Sequence, residues 1–319
     1  MKENVLVLFN DLSDETREKI EKLCGENEYS VRFFTKKEDM QPYLSEATII
    51  HGAGPDLIIN SPKLKWFSSS TAGVNVYFKP GVLRDGLVLT NSAGAYGLSI
   101  SEHMIMVALM LLRRMPEYNT IVSERRWVNS LPQQSIYGSR ITVIGTGDIG
   151  SNFAKRARVF GPASLIGVNR SGRAAEGFDR CVKIEEIDSL LPETDLLFMA
   201  VPETPETIHL LDERRIALLP DTSFVINVGR GSAIDEAAIK EALDNGKLAG
   251  AALDVFEKEP LPEDSPLYGT KNLIITPHCS GQTTLEYTRY RNMEMFYENL
   301  CHYAKGETLE HIVDKDRQY

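Results

Sequence analysis

Nothing in the chain approaches a membrane span. The longest apolar run, Met104 to Leu112, is about half of the roughly 20 residues a bilayer requires, and it reads as a buried helix. Cysteine is scarce: Cys24, Cys181, Cys279 and Cys301 lie far apart with no Cys-x-x-Cys spacing, so neither a zinc site nor a disulfide framework is expected, and four free thiols are. Positive charge is in deficit as well. Thirty-five Lys and Arg stand against 45 Asp and Glu, for a net charge of −10 and a pI near 5.2. That balance argues against nucleic acid, whose phosphates need clustered Lys and Arg. An anionic ligand must therefore be held by a local positive site. No repeat or low-complexity tract occurs, and Met1-Lys2-Glu3-Asn4 runs directly into Val5-Leu6-Val7-Leu8 without a charged-then-apolar targeting pattern, so a cytoplasmic location is expected. What remains is a globular composition, 42% apolar and 25% charged over 319 residues, enough for two domains that each bury a core.

The chain alternates strand-like and helix-like stretches. The first series runs through Val5–Leu8, a helix over Ser13–Leu23, then Tyr29–Phe34, Thr48–His51, Trp66–Ser70 and Leu87–Thr90, which implies an α/β layer on a mostly parallel sheet. A clearer series of six strands begins at Ile141–Ile144 and continues with Leu165–Asn169, Asp195–Val201, Ser223–Val228, Ala249–Leu253 and Leu273–Thr276, the pattern of a doubly wound nucleotide-binding sheet. Between the series, Ser99-x-x-Glu102 reads as a capping box opening a helix that Pro116 ends, and this helix is expected to cross between domains. Leu285, Met293, Phe296 and Leu300 mark a long C-terminal helix over Thr283–Tyr303. If that helix packs on the N-terminal layer, the first domain is built from both chain ends.

Gly145-x-Gly147-x-x-Gly150 follows the strand-like Arg140–Ile144 and opens an apolar-faced helix from Ile149 to Phe160. In that setting the glycines let the backbone, with Asp148 and Ile149 in the first turn, approach a pyrophosphate at the helix N-terminus. The next strand ends Asn169-Arg170-Ser171-Gly172-Arg173, where an NAD site usually carries a carboxylate for the ribose hydroxyls. Arg170, Ser171 and Arg173 instead offer charge-assisted hydrogen bonds to a 2′-phosphate, so NADP(H) is expected over NAD(H).

Three further groups follow strands. Arg230, in Asn227-Val228-Gly229-Arg230-Gly231, places a planar forked donor that matches a carboxylate and an adjacent carbonyl oxygen. His278, after Thr276-Pro277, suits a general acid/base, and a carboxylate partner would favour the imidazolium that donates to a developing alkoxide. Glu257, Glu259 and Glu263 are all nearby acids. Asp254 ends its strand and suits either the nicotinamide amide or the capping of the turn that follows.

In this order, Gly145–Gly150, Asn227–Gly231, Leu253-Asp254-Val255-Phe256, Glu259-Pro260 and Thr276-Pro277-His278 resemble the D-isomer-specific 2-hydroxyacid dehydrogenase family over nearly the whole chain. The resemblance selects Glu259 as the partner of His278, assigns acid/base chemistry to His278 and substrate binding to Arg230. It implies that main-chain amides in Ser70-Thr71-Ala72-Gly73-Val74-Asn75, around Ala72, Gly73 and Val74, hold the substrate carboxylate. Val201, Pro202 and Thr207 resemble the nicotinamide-side loop, Val228 and Gly229 line the cofactor, and Ser101-Glu102-His103 resembles an interdomain segment in which His103 is structural. The resemblance also implies a homodimer, with Arg125 to Tyr137 as a contact arm in which Trp127 is either interface or local core. Cys279 is expected to be an ordinary packed thiol.

The expected architecture is therefore two doubly wound parallel-sheet domains with an interdomain cleft: a flavodoxin-like substrate domain over 1–97 plus 281–319, and a Rossmann cofactor domain over 98–280. The expected activity is NADPH-dependent reduction of a small 2-keto acid, such as glyoxylate or hydroxypyruvate, to the D-2-hydroxy acid. His51-Gly52-Ala53 and Tyr96 are expected to wall the substrate pocket, and no metal is expected. An NAD-dependent phosphoglycerate-type dehydrogenase, with Lys79 or Arg84 as candidates for the second phosphate, and a non-catalytic nucleotide sensor are the alternatives.

Overall fold

The computed structural model describes residues 2–316. The chain divides into two compact units, one of Met1–Tyr96 with Thr283–Tyr319, the other of Gly97–Gln282.

The first unit is a five-stranded parallel sheet in the order β2, β1, β3, β4, β5, formed by β1 (Asn4–Leu8), β2 (Ser30–Phe34), β3 (Ile49–Gly52), β4 (Trp66–Ser69) and β5 (Val88–Thr90). The order reverses beside β1, as in doubly wound sheets that bind ligands at their carboxyl edge. Alternation along each strand feeds two cores. Leu6, Ile50, Phe67 and Leu89 face Met40, Leu57 and Tyr77. Val5, Val7, Ile49 and Trp66 face α1 (Asp14–Glu26) and α9 (Glu286–Lys305) through Ile20, Met293, Phe296 and Leu300. Each such side chain contributes about 1.5–3 kcal/mol when fully buried. The remaining helix of this unit, α2 (Pro55–Ile59), is short. The C-terminal helix thus belongs with the N-terminal sheet. Its start at Glu286 leaves Leu285 as an exposed N-terminal flank outside the apolar stripe.

The second unit carries seven parallel strands in the order β12, β11, β10, β9, β6, β7, β8. These are β6 (Arg140–Ile144), β7 (Ser164–Asn169), β8 (Arg180–Lys183), β9 (Leu196–Met199), β10 (Phe224–Asn227), β11 (Gly250–Leu253) and β12 (Leu273–Ile275). Its helices are α3 (Gly97–Leu112), α4 (Met115–Ser123), α5 (Asp148–Ala157), α6 (Ile187–Leu190), α7 (Glu213–Leu218) and α8 (Glu236–Asp244). Six strands were expected and seven are present. The seventh, β8, reads Arg-Cys-Val-Lys and buries only Val182, so it lacks the apolar signature of a strand covered on both faces. Phe153 of α5 packs on Phe198 of β9 with ring centroids 4.1 Å apart.

The capping-box expectation is corrected. Helix α3 opens two residues earlier at Gly97, Ser99 lies inside it, and the Ser99 hydroxyl donates to the Ser280 carbonyl at 2.8 Å. The first residue must be glycine, because a Cβ at position 97 would stand 2.4–2.7 Å from Asn152 and Asp148 of α5. Pro116 does not end α3, which stops at Leu112; it occupies the first turn of α4, where a missing N–H costs nothing. Among the described residues no helix is long and apolar enough to cross a membrane, and no group of three metal-ligating side chains occurs.

Candidate active site

The turn between β6 and α5 is shaped by contact with itself. A Cβ on Gly150 would stand 1.9 Å from the Gly145 carbonyl oxygen, so only glycine lets the first helical turn close over the strand end. At Gly147 a Cβ would meet nothing within 4 Å, so the site opens outward there. Gly147 also caps α5 without a side-chain acceptor, which leaves the first-turn amides, with Asp148 and half-buried Ile149, directed at that space. These features fit a dinucleotide pyrophosphate approaching the helix N-terminus.

Beyond β7, Asn169 folds the selectivity loop. Its Oδ1 accepts the amides of Ser171 at 3.2 Å and Arg173 at 3.1 Å, and its Nδ2 donates to Thr146 Oγ1 at 2.9 Å. Arg170, Ser171 and Arg173 are exposed, and neither arginine forms a salt bridge among the described residues. Opposite the turn, buried Thr207 accepts the Thr204 amide at 2.8 Å and donates to the Pro202 carbonyl at 2.7 Å, which closes the loop after buried Val201.

Asn227 organises the arginine turn: its Oδ1 accepts the Gly229 amide at 3.0 Å and its Nδ2 donates to the Arg230 carbonyl at 2.9 Å, with Val228 buried between them. Arg230 donates Nη1 to the Gly229 carbonyl at 2.6 Å. Burial pulls the Arg230 pKa down, while the carboxylates of Glu203 and Glu259 push it up, and the guanidinium stays charged. Glu203 is held in turn by the Ser232 hydroxyl at 2.6 Å. At Gly231 a Cβ would stand 1.8 Å from the Phe256 carbonyl carbon, so the arginine turn lies directly against the loop that carries Glu259.

That loop is fixed from several sides. Glu259 Oε1 accepts the Phe256 amide at 2.9 Å, and Glu236 accepts the Glu257 amide at 2.7 Å, the Glu236 carboxyl being raised in pKa chiefly by burial. The remaining oxygen, Glu259 Oε2, lies 2.6 Å from His278 Nδ1. A carboxylate accepts there, which assigns the Nδ1–H to this contact and leaves Nε2 for chemistry.

His278 has φ +49°, a left-handed backbone that costs a non-glycine residue about 1–3 kcal/mol and persists only when surrounding contacts enforce it. Asp254 supplies them. Its carbonyl accepts the His278 amide at 2.9 Å, and its buried carboxylate accepts the Thr276 hydroxyl at 2.5 Å and the amides of Cys279 and Ser280 at 3.0 and 3.1 Å. His103 joins from α3, its Nε2 3.3 Å from the Thr276 hydroxyl, with a pKa lowered by burial against the opposing pull of Asp254. Cys279, expected to be packed, is exposed, although both its backbone amide and its thiol lie against the Asp254 carboxylate.

In the first unit, the loop after β4 has its carbonyls occupied. The Asn91 side-chain Nδ2 donates to Ala72 O at 3.1 Å and the Thr71 hydroxyl to Gly73 O at 2.9 Å. The N–H groups of Ala72, Gly73 and Val74 find no acceptor among the described residues. Three consecutive free amides suit an anionic oxygen. The pocket-wall expectation is corrected: His51 is fully buried with its ring 4.6 Å from that of Phe296, and Tyr96 turns its hydroxyl onto the Ser70 carbonyl. Trp127, expected in part as local core, is 91% exposed.

Sequence reading missed two contributors, Asn227 as organiser of the arginine turn and Glu203 beside Arg230; for Asp254 it left turn capping open beside a nicotinamide contact, and the carboxylate does hold the turn that follows. A buried polar residue at a strand end was the only signal for Asn227.

A family model described as the D-isomer specific 2-hydroxyacid dehydrogenase NAD binding domain matches residues 105–280. A glyoxylate reductase of Korarchaeum cryptofilum is 31% identical, with 80% of this chain and 78% of that protein covered. Among solved structures, a D-isomer specific 2-hydroxyacid dehydrogenase family protein from Aeromonas salmonicida superposes with a TM-score of 0.85 at 33% identity, covering 99% of this chain and 100% of its own. An NADPH-dependent glyoxylate/hydroxypyruvate reductase from Sinorhizobium meliloti, in complex with NADP and sulfate, gives a TM-score of 0.83 at 28% identity with both chains fully covered. The chain belongs to the D-isomer specific 2-hydroxyacid dehydrogenase family. It is an NAD(P)-dependent oxidoreductase with a nicotinamide-nucleotide-binding unit.

Proposed function

We propose that this protein uses NADPH to reduce a small 2-keto acid to the D-2-hydroxy acid, with glyoxylate and hydroxypyruvate as the size class. The observation that carries the reading is the 2.6 Å pair of His278 and Glu259 on a loop against the Arg230 turn. Support also comes from the relatives named for glyoxylate and hydroxypyruvate reduction.

NADPH, when bound, supplies the hydride to the keto carbon. Arg230 engages the carboxylate and the carbonyl oxygen with its fork, which aligns the carbonyl and stabilises charge growing on its oxygen. The free amides of Ala72, Gly73 and Val74 hold the substrate carboxylate. His278, protonated on both nitrogens, gives its Nε2 proton to the nascent alkoxide while Glu259 holds Nδ1–H and stabilises the imidazolium. In the oxidative direction the neutral Nε2 accepts the alcohol proton. Gly145, Gly147, Asp148, Ile149 and Gly150 cradle the pyrophosphate; Val201, Pro202, Thr207, Val228, Gly229 and Asp254 border the nicotinamide side. Arg170, Ser171 and Asn169 read the 2′-phosphate and favour NADP(H) over NAD(H).

A phosphoglycerate substrate fits less well, since Arg84 commits its guanidinium to the carbonyls of Ser61 and Leu64 at 2.7 and 2.8 Å. A sensor would have no use for a proton donor. The protein is read further as a cytoplasmic homodimer formed through the second unit, which exposes Val122 and Trp127 and carries an apolar hollow of about 440 Å³ lined by Met106, Met110 and Met115. Sedimentation at micromolar concentration checks the dimer. A 2-keto acid panel run with NADPH and NADH, followed at the nicotinamide absorbance, tests the activity. Tight NADPH binding without turnover on any member would overturn it.

A further inference from the structure

The loop that presents the amides of Ala72, Gly73 and Val74 is anchored at its first residue. The Ser70 amide donates to the Gly52 carbonyl at 2.8 Å, so this peptide continues the sheet on one side. On the other side the Ser70 carbonyl receives two side-chain donors. Asn292 Nδ2, from the middle of α9, lies 2.7 Å away, and the Tyr96 hydroxyl lies 2.5 Å away. The two donors are themselves only 3.4 Å apart. Asn292 is fully buried and Tyr96 is 6% exposed.

A buried amide on an apolar helix face is a cost unless hydrogen-bonded, and the neighbours Met293, Phe296 and Leu300 already fill the core of that face. The Nδ2 of this amide meets that need at the Ser70 carbonyl, while the same side chain also faces buried His51. Two donors on one carbonyl also fix the plane of the peptide between Ser70 and Thr71, which sets the direction of the peptides that follow. Burial raises the Tyr96 phenol to a pKa of about 12, so it remains a donor throughout the working pH range.

We infer that Asn292 and Tyr96 are positioning residues for substrate binding: gripping the Ser70 carbonyl together, they aim the amides of Ala72, Gly73 and Val74 at the carboxylate of the 2-keto acid. This rests on the reading that the loop holds that carboxylate. The effect falls on substrate affinity, because both side chains act on the Ser70 carbonyl at the start of the amide-bearing loop.

The test uses the full-length protein with glyoxylate and hydroxypyruvate as probes. Tyr96→Phe, Asn292→Ala, their double variant and Gly73→Pro are compared for KM, kcat, NADPH affinity by nicotinamide fluorescence, and melting temperature. The expected result is a KM raised about threefold by Tyr96→Phe and about tenfold by Asn292→Ala, with kcat within about twofold and NADPH affinity unchanged. The double variant departs from the product of the single effects, since both side chains act on one carbonyl. Unchanged KM in both single variants, while Gly73→Pro raises it, overturns the inference and spares the loop reading. Parallel loss of kcat and NADPH affinity overturns it in favour of a merely structural role. Unchanged KM in Gly73→Pro overturns the loop reading itself. If Asn292→Ala does not fold, Tyr96→Phe, which removes a single oxygen, carries the test.

Discussion

Glu259 and His278 lie 2.6 Å apart, Oε2 to Nδ1, across 19 residues of chain, and the second oxygen of Glu259 is tied to the Phe256 amide. The carboxylate therefore has one rotational position and the imidazole one tautomer. His278→Ala removes the proton donor and is expected to lower kcat by about 10²–10⁴-fold with NADPH affinity nearly unchanged. Glu259→Gln keeps the shape but not the charge, and is expected to lower kcat on the order of tenfold to a hundredfold. Steady-state kinetics beside NADPH fluorescence titration measures both. Near wild-type kcat in His278→Ala would remove the acid/base assignment.

Arg230→Lys tests the fork separately from the charge. Lysine supplies a point cation on a flexible stem and cannot bond a carboxylate and a carbonyl at once. With about 1.5–3 kcal/mol for a hydrogen bond to a charged group, kcat/KM for glyoxylate should fall on the order of tenfold to a hundredfold. Retention of full kcat/KM would mean that Arg230 acts by charge alone.

Much of this arrangement was legible as pattern, because β1, β3, β4 and the β6–α5 turn carry their own local signatures. The strand β8 was not, since a polar edge strand buries one side chain and resembles a loop. Nor was the start of α3, since Ser99 lies inside the helix and its first residue, Gly97, packs against Asp148 and Asn152 about 50 residues away. In the site, Arg230 and His278 announced themselves by following strands. Glu259 could not be told from Glu257 and Glu263 without the family resemblance, since all three are acids on one turn. Glu257 accordingly pairs with His209 at 2.9 Å, a choice that only the folded loop makes. Asn292 was invisible for the same reason, its partner carbonyl being 222 residues away.

Cofactor choice turns on an exposed loop. Arg170 and Arg173 project from a turn that Asn169 folds, with no salt bridge to compete among the described residues. Arg170→Ala is expected to lower kcat/KM for NADPH about tenfold while leaving NADH nearly unchanged, because only NADPH carries the 2′-phosphate. Raising ionic strength should weaken NADPH more than NADH, since the contact is solvent-exposed. Equal losses with the two cofactors would place Arg170 outside 2′-phosphate recognition.

The first unit carries a built-in acid sensitivity at His51. The ring is fully buried between Phe9 and Phe296, with Nδ1 3.0 Å from the Ser68 hydroxyl, and desolvation lowers its pKa from 6.5 to about 3 despite the upward pull of the Asn292 amide. Unfolded, the same imidazole takes a proton near pH 6.5; folded, it resists until far lower pH. The unfolded state therefore binds the extra proton across this window, so stability is full above about pH 6.5 and falls as pH drops toward 3. The slope approaches about 1.4 kcal/mol per pH unit for this one group. His51→Gln, which can still hydrogen-bond Ser68 but does not titrate, should flatten the fall in melting temperature between pH 6.5 and 4.5 relative to wild type. Identical pH profiles for the two proteins would mean that carboxylates such as Glu3, whose burial raises its pKa but whose hydrogen bonds to Lys65 and Thr48 lower it further, set the acid limit instead.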